Sequence, residues 1–226
     1  MILLTCYWEV KDKDRNKELM ATLSNNVNNK NIEKIYLFLE DDKKPPIEDD
    51  KIEIIEDFGR PTYSELLRFC NKNLEGQSCI IANTDIEFTD SLSLISEIDL
   101  KDCFLCLSRW ELMEDGSVTY HRSADSQDSW VFKSPVPKGM VDEANFFMGQ
   151  PGCDNRIAFL AKKFGLVPTN PSPVIKTIHR HLVEHRTYGL FDRLGGRYLR
   201  VYPCDDWDVS RIGLDINSYE AYTEDF

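Results

Sequence analysis

The chain has 226 residues, 42% hydrophobic and 11% aromatic, which supports a sizeable core and argues against disorder. Its formal net charge of −12 excludes general binding to nucleic acid or to an anionic membrane as a reading. No apolar run approaches the roughly 18 residues of a membrane span, so no transmembrane segment is expected.

From the start of the chain, residues 2–7 read as a first buried strand. Residues 13–27 follow as a weakly amphipathic helix, with Leu19, Met20 and Leu23 at helical spacing. A second strand over 32–39 is closed by the loop signal Glu40-Asp-Asp-Lys-Lys-Pro-Pro46. Residues 51–56 alternate as a third strand. After the turn at Gly59-Arg-Pro61, Thr62 is suited to cap a helix carrying Tyr63, Leu66, Leu67 and Phe69. Residues 79–82 form a fourth strand. This alternation predicts βαβ units and a largely parallel sheet.

The second half is less regular. Strands are expected over 102–107 and 129–133, with a turn at Glu114-Asp-Gly-Ser117 and a polar loop over 121–127. Residues 155–164 read as a helix with Gly165 just past its end, and 167–173 as an extended, proline-rich segment. Seven cysteines, an odd number without a signal-like leader, read as reduced thiols in a cytoplasmic compartment. Cys103 and Cys106 look like a redox or metal pair, but residues three apart on a strand point to opposite faces, which favours core packing.

Chemistry concentrates in a few stretches. Cys79-Ile-Ile-Ala-Asn-Thr-Asp-Ile-Glu-Phe88 is an apolar run that ends in two carboxylates. On an extended strand end Asn83, Asp85 and Glu87 share one face and can offer oxygens to Mg²⁺ or Mn²⁺. An acidic turn facing solvent is the plainer alternative. Far downstream, Ile178-His-Arg-His-Leu-Val-Glu-His185 holds three of the four histidines. One or two of them complete a metal shell with Asp85, or the set forms a zinc site of its own. Residues 176–200 carry six Lys/Arg against two acids, a basic island in an acidic chain, whereas 205–226 carries seven acids against Arg211. The island suits a discrete anion such as a diphosphate, with Lys176, Arg180 and Arg186 as candidates.

Gly149-Gln-Pro-Gly-Cys-Asp154-Asn155 lets backbone approach a ligand closely. Asp154 is either the N-cap of the helix that follows or a general base on an acceptor hydroxyl. Tyr7-Trp8-Glu9 ends the first strand where an aromatic ring can stack on a base. Gln127, Asp128 and Trp130 sit at the mouth of a later strand, plausible neighbours of a sugar.

In order and spacing these features resemble a GT-A-fold glycosyltransferase, distantly of the family-2 kind. Asn83-Thr-Asp85 falls where an Asp-x-Asp motif belongs, with Asn83 in place of its first acid. Gly152-Cys-Asp154-Asn155, then Arg156 and Gly165, looks like the pattern around the catalytic acid, and Ile178-His179-Arg-His181 like the late metal-binding histidine. The resemblance covers about residues 1 to 190. It implies an α/β fold, GT-A-like, with a Rossmann-type mixed, mostly parallel sheet flanked by helices.

It also implies one catalytic domain over 1–200, with a nucleotide-binding half (1–100), an acceptor half (101–200) and an acidic extension over 201–226. Its donor would be a nucleoside-diphosphate sugar, UDP- or GDP-linked, its acceptor a hydroxyl and its cofactor Mn²⁺ or Mg²⁺. Metal would rest on Asp85 with His179 or His181. Thr5, Tyr7 and Glu9 would flank the base, with Arg60, Tyr63 and Asn83 also near the nucleotide. Arg180 or Arg186 would meet phosphate, and Asp154 would deprotonate the acceptor for inverting attack. Three alternatives stay open: a nucleotidyltransferase of similar topology, a histidine-cluster metallohydrolase, and a non-catalytic sugar-nucleotide-binding domain.

Overall fold

Six consecutive buried residues, Ile2–Tyr7, form β1, a strand covered on both faces. A run this apolar belongs at the centre of a mostly parallel sheet, and β1 lies there. In a computed structural model describing residues 1–56, 59–182 and 192–204, the further elements are α1 (Lys13–Asn28), β2 (Lys34–Leu39), β3 (Ile52–Ile55), α2 (Tyr63–Asn73), β4 (Ser78–Ala82) and β5 (Ile86–Phe88). A 3₁₀ segment over Asp90–Glu97 leads to β6 (Cys103–Leu107), β7 (Trp110–Leu112), β8 (Val118–Tyr120), β9 (Ser129–Lys133), α3 (Lys138–Glu143), α4 (Cys153–Lys163), β10 (Val167–Thr169) and β11 (Thr177–His179).

Seven strands make the main sheet in the order β10-β6-β9-β4-β1-β2-β3. Only β9 runs against its neighbours, pairing antiparallel with β4 on one side and β6 on the other. Alternate residues of the strands feed two cores. Leu4, Cys6 and Ile81 pack with α2, α3 and α4 through Leu66, Met140 and Leu160. Leu3, Ile80 and Leu105 pack on the other face with Leu23 and Val27 of α1 and Leu92 of the 3₁₀ segment. Each fully buried leucine of this kind contributes about 1.5–3 kcal/mol. Cys106 lies in the first core and Cys103 in the second, as their spacing on a strand requires.

Local signals set the helix starts. Asp12 caps α1 by accepting from the backbone N–H groups of Asp14 and Arg15. Thr62 and Glu65 form a capping box on α2. At α4 the cap is Gly152, whose φ of 83° is left-handed, so Asp154 is the second helical residue and not the N-cap.

A second sheet of four strands, β5-β11-β7-β8, stands at the carboxyl end of β4. β11 pairs antiparallel with β5 and parallel with β7, bringing Ile178 opposite both Glu87 and Trp110. β7 and β8 form a hairpin around the turn expected at 114–117. The outer edge of β5 is bonded by α1: Asn26 donates to Ile86 O and accepts from Phe88 N, both at 2.9 Å. Among the described residues, no helix is long and apolar enough to cross a membrane.

Candidate functional site

The chain leaves β4 at Ala82 and turns at Thr84 and Asp85 before starting β5. Thr84 Oγ1 donates to Cys6 O at 3.0 Å, pinning this turn to the end of β1. The turn breaks the extended end expected for 83–87, so its three polar residues diverge. Asn83 Nδ2 donates to Asp128 Oδ1 at 3.0 Å. Glu87 pairs with Arg180 Nε and accepts from Asn25 Nδ2 at 2.8 Å. Asp85 alone faces the histidines.

His179 ends β11, and His181 lies two residues on, so their rings stack at 5.0 Å with 15° between the planes. His179 Nε2 is 3.2 Å and His181 Nδ1 3.5 Å from the same oxygen, Asp85 Oδ2. One ligand atom from each of Asp85, His179 and His181 lies within 4.8 Å of the other two. Behind the pair, Glu111 Oε2 lies 2.8 Å from His179 Nδ1. A ligating histidine typically gives its other ring nitrogen to a carboxylate in this way. Two imidazoles and a carboxylate suit a divalent transition ion, so the residues present fit a metal.

The charges here are strongly coupled. Burial alone would raise the carboxyl pKa of Asp85, but hydrogen bonds from both histidines, with the charges of His179 and Arg15, hold it well below the usual range. Burial lowers the pKa of His179, yet its bonds to Asp85 and Glu111 prevail and raise it to about 9. An ion binding here therefore displaces a proton from that ring. Against its own burial, Glu111 is lowered to about 2 by His179 and Arg109.

Arg109 links this cluster to the second carboxylate pair. Its Nε donates to Glu111 Oε1 at 2.6 Å, and its Nη1 to Asp128 Oδ2 at 2.9 Å. Asp128 in turn faces Asp154, which accepts from Gln127 N at 3.3 Å and Asn155 N at 3.0 Å. Burial first, and the Asp128 charge second, raise the pKa of Asp154 to about 7. Gln127 Oε1 and Asn155 Oδ1, of the two residues whose backbone N–H groups reach this carboxylate, are buried with no hydrogen-bond partner among the described residues.

Several expected contacts take another form. Tyr63 and Trp130 are 0% and 1% exposed, and their rings pack edge to face at 5.1 Å. They are core residues, because their positions on α2 and β9 point into the layer between helix and sheet, leaving no face for a nucleotide or a sugar. Thr5 is also buried, its hydroxyl donating to Ala82 O at 2.9 Å. Tyr7 is 3% exposed. Glu9 is exposed and paired with Lys43 at 2.6 Å. Arg60 donates to Met148 O at 2.6 Å and lies over the Phe147 ring, joining the turn before α2 to the Gly149 loop. Lys176 Nζ sits 4.5 Å from the Trp110 ring centre. Arg186 and His185, like the extension beyond 204, lie outside the described residues.

Three residues at the centre of the network, Arg15, Arg109 and Glu111, went unread in the sequence. Arg15 carries a visible signal: it stands four residues before Leu19 on the buried face of α1, an odd place for a charge. Arg109 and Glu111 carry none, since alternating charges on a short strand usually face solvent.

No family model and no curated protein matches the chain. Among solved structures it is similar to the mannosyltransferase PcManGT from Pyrobaculum calidifontis, solved with GDP-Man and Mn²⁺. The TM-score is 0.50 at 10% identity, over 83% of this chain and 58% of that one.

The fold is GT-A-like.

Two further likenesses are a cytidylyltransferase, IspD, from Francisella tularensis (TM-score 0.47, 13% identity, 75% of this chain and 88% of that one) and S. aureus TarS (0.47, 10%, 79% and 59%). Within the GT-A-like fold the Asp85 turn lies beyond the carboxyl end of a central strand, where open α/β sheets bind ligands.

Proposed function

We propose that this protein is a transferase that takes a sugar from a nucleoside-diphosphate sugar and delivers it to a hydroxyl acceptor. The observation that carries this reading is the convergence of Asp85, His179 and His181 at the carboxyl end of β4. Arg109 bridges Glu111, behind His179, to Asp128, whose charge acts on the Asp154 carboxylate. Asp85, His179 and His181 would hold Mn²⁺ or a similar ion, which when bound supplies Lewis-acid stabilisation for a leaving diphosphate. Glu111 orients His179 for that task. A carboxyl group raised to about 7 is matched to taking a proton from a hydroxyl near neutral pH. Asp154 is thus the general base, and attack by the acceptor opposite the leaving group inverts the anomeric centre. Arg180 contributes positive charge beside Glu87, at the rim of the site.

The test is a thermal-shift screen of UDP, GDP and their sugar conjugates, each with and without Mn²⁺, followed by assay of sugar release from the stabilising donor. A Mn²⁺-dependent rise in melting temperature for one diphosphate series, lost in Asp85→Ala, supports the reading. Release of pyrophosphate from a nucleoside triphosphate would replace it with nucleotidyl transfer. A rise with Zn²⁺ alone, and with no nucleotide, would replace it with a hydrolase.

A further inference from the structure

Arg15 is a charged residue with 6% exposure in the first turn of α1. Its Nη2 donates to Asp85 Oδ2, the oxygen that both histidines also face. Its Nη1 donates to Glu18 Oε2 at 2.8 Å and to the carbonyl of Arg180 at 2.6 Å. Glu18 uses its other oxygen, Oε1, to accept from Leu182 N at 3.0 Å, so α1 also grips the segment that carries His181.

A guanidinium on the one acid of a metal-binding set has two consequences. Its N–H occupies lone pairs that an ion would need, and its charge repels a divalent cation brought within a few ångströms in a poorly solvated place. Glu18 and the Arg180 carbonyl nevertheless leave Arg15 with partners when it lets go of Asp85. Its freed Nη2 then needs an anion, and guanidinium matches phosphate oxygens well.

We propose that Arg15 is the resident counter-cation of this site, holding Asp85 in the free protein and yielding it only when a diphosphate arrives with a divalent ion. The inference rests on the metal reading of Asp85, His179 and His181 given above. It makes the binding of ion and of diphosphate mutually dependent, because the anion compensates the displaced guanidinium and the ion takes its place. Free ion alone binds weakly, and the donor is captured as its metal complex.

The experiment measures Mn²⁺ binding directly, by the electron paramagnetic resonance signal of free Mn²⁺, with Mn²⁺ alone and with Mn²⁺ plus UDP or GDP. Wild type, Arg15→Gln, Arg15→Lys and Asp85→Ala are compared after circular dichroism confirms folding. Arg15→Gln is expected to bind Mn²⁺ alone about tenfold more tightly than wild type, with a smaller gain on adding the diphosphate. Arg15→Lys keeps the charge but loses the fork, so an intermediate gain is expected; it carries the test if Arg15→Gln does not fold. The inference is overturned if both variants bind Mn²⁺ no more tightly than wild type while Asp85→Ala abolishes binding. If Asp85→Ala binds Mn²⁺ as wild type does, the metal reading itself falls and takes this inference with it.

Discussion

Arg15 and Asp85, 70 residues apart in the chain, form a salt bridge whose side chains are 7% and 14% exposed. Removing Asp85 leaves Arg15 with Glu18 and the Arg180 carbonyl but takes away a charge-assisted bond in a poorly solvated place, at a cost of about 2 kcal/mol, whereas removing both members is milder. Asp85→Asn is therefore expected to lose about that much stability in urea unfolding. The double variant Arg15→Met/Asp85→Asn should recover at least half. A double-mutant cycle that shows no coupling would mean that the pair contributes nothing to the fold.

Asp154 works against stability when ionised. Its folded pKa of about 7 lies above the ordinary 3.8, so the folded state binds its proton more tightly than the unfolded chain does. Stability from this group is intact at pH 4, declines as pH rises towards 7, and stays at its low value above that. Asp154→Asn removes the charge and should stabilise the protein by about 2 kcal/mol at pH 8, allowing for partial exposure, and by nothing measurable at pH 4. Denaturant titrations at the two pH values decide it.

Under the proposed transferase reading, the same carboxylate is expected to set the acid limb of catalysis. Transfer that relies on ionised Asp154 should fall about tenfold for each pH unit below its apparent pKa near 7. Asp154→Asn should lower kcat by about 10²–10⁴-fold and leave donor binding in the thermal-shift assay unchanged. A flat pH profile down to pH 5 would point to another base.

Glu111 touches His179 and Arg109, on the side of the imidazole away from Asp85. Replacing it by Gln weakens the orientation of the imidazole and its basicity, so Mn²⁺ affinity should drop by about 10–100-fold. Calorimetric titration of the metal reads this directly, with the fold checked by circular dichroism.

Gly152 has a φ of 83°, and a Cβ added there would meet the Tyr198 ring at 3.0 Å. Gly152→Ala should cost about 1–2 kcal/mol from the left-handed backbone alone. Because it opens the first turn of α4, the substitution should also displace Asp154 and depress kcat. Wild-type stability in the alanine variant would contradict that backbone assignment.

Much of the frame was legible because its signals are local. The apolar run of β1, the Thr62 cap and the strand that stops at Ala82, just before the Asp85 turn, follow from hydrophobic period and turn chemistry. The pairing of Asp85 with downstream histidines was also within reach, since an acid just past a strand end and two histidines two residues apart are both unusual. Other readings failed for a definite reason. The family resemblance puts Tyr63 near a nucleotide, and its place at a strand mouth puts Trp130 near a sugar, but depth in the core depends on what packs over α2 and β9, not on neighbours in sequence. The extended triad of Asn83, Asp85 and Glu87 was split by one turn, which redirects side chains that a straight strand would align.

What the sequence by itself determined is therefore the alternation of buried strands and capped helices, and the residue types available at each strand end. Tertiary structure alone decided the insertion of β9 between β4 and β6 and the register of β11 against β5 and β7. It also decided that Arg15, Glu111 and Arg109 meet the Asp85 cluster. The reason is physical: periodicity reports which face of one element is buried, whereas an ion pair between α1 and a turn 70 residues on depends on how several elements stack. Asn26 bonding the edge of β5 and β11 closing over the Asp85 turn are long-range events, and it is they that turn separate acids, bases and an arginine into one coupled site.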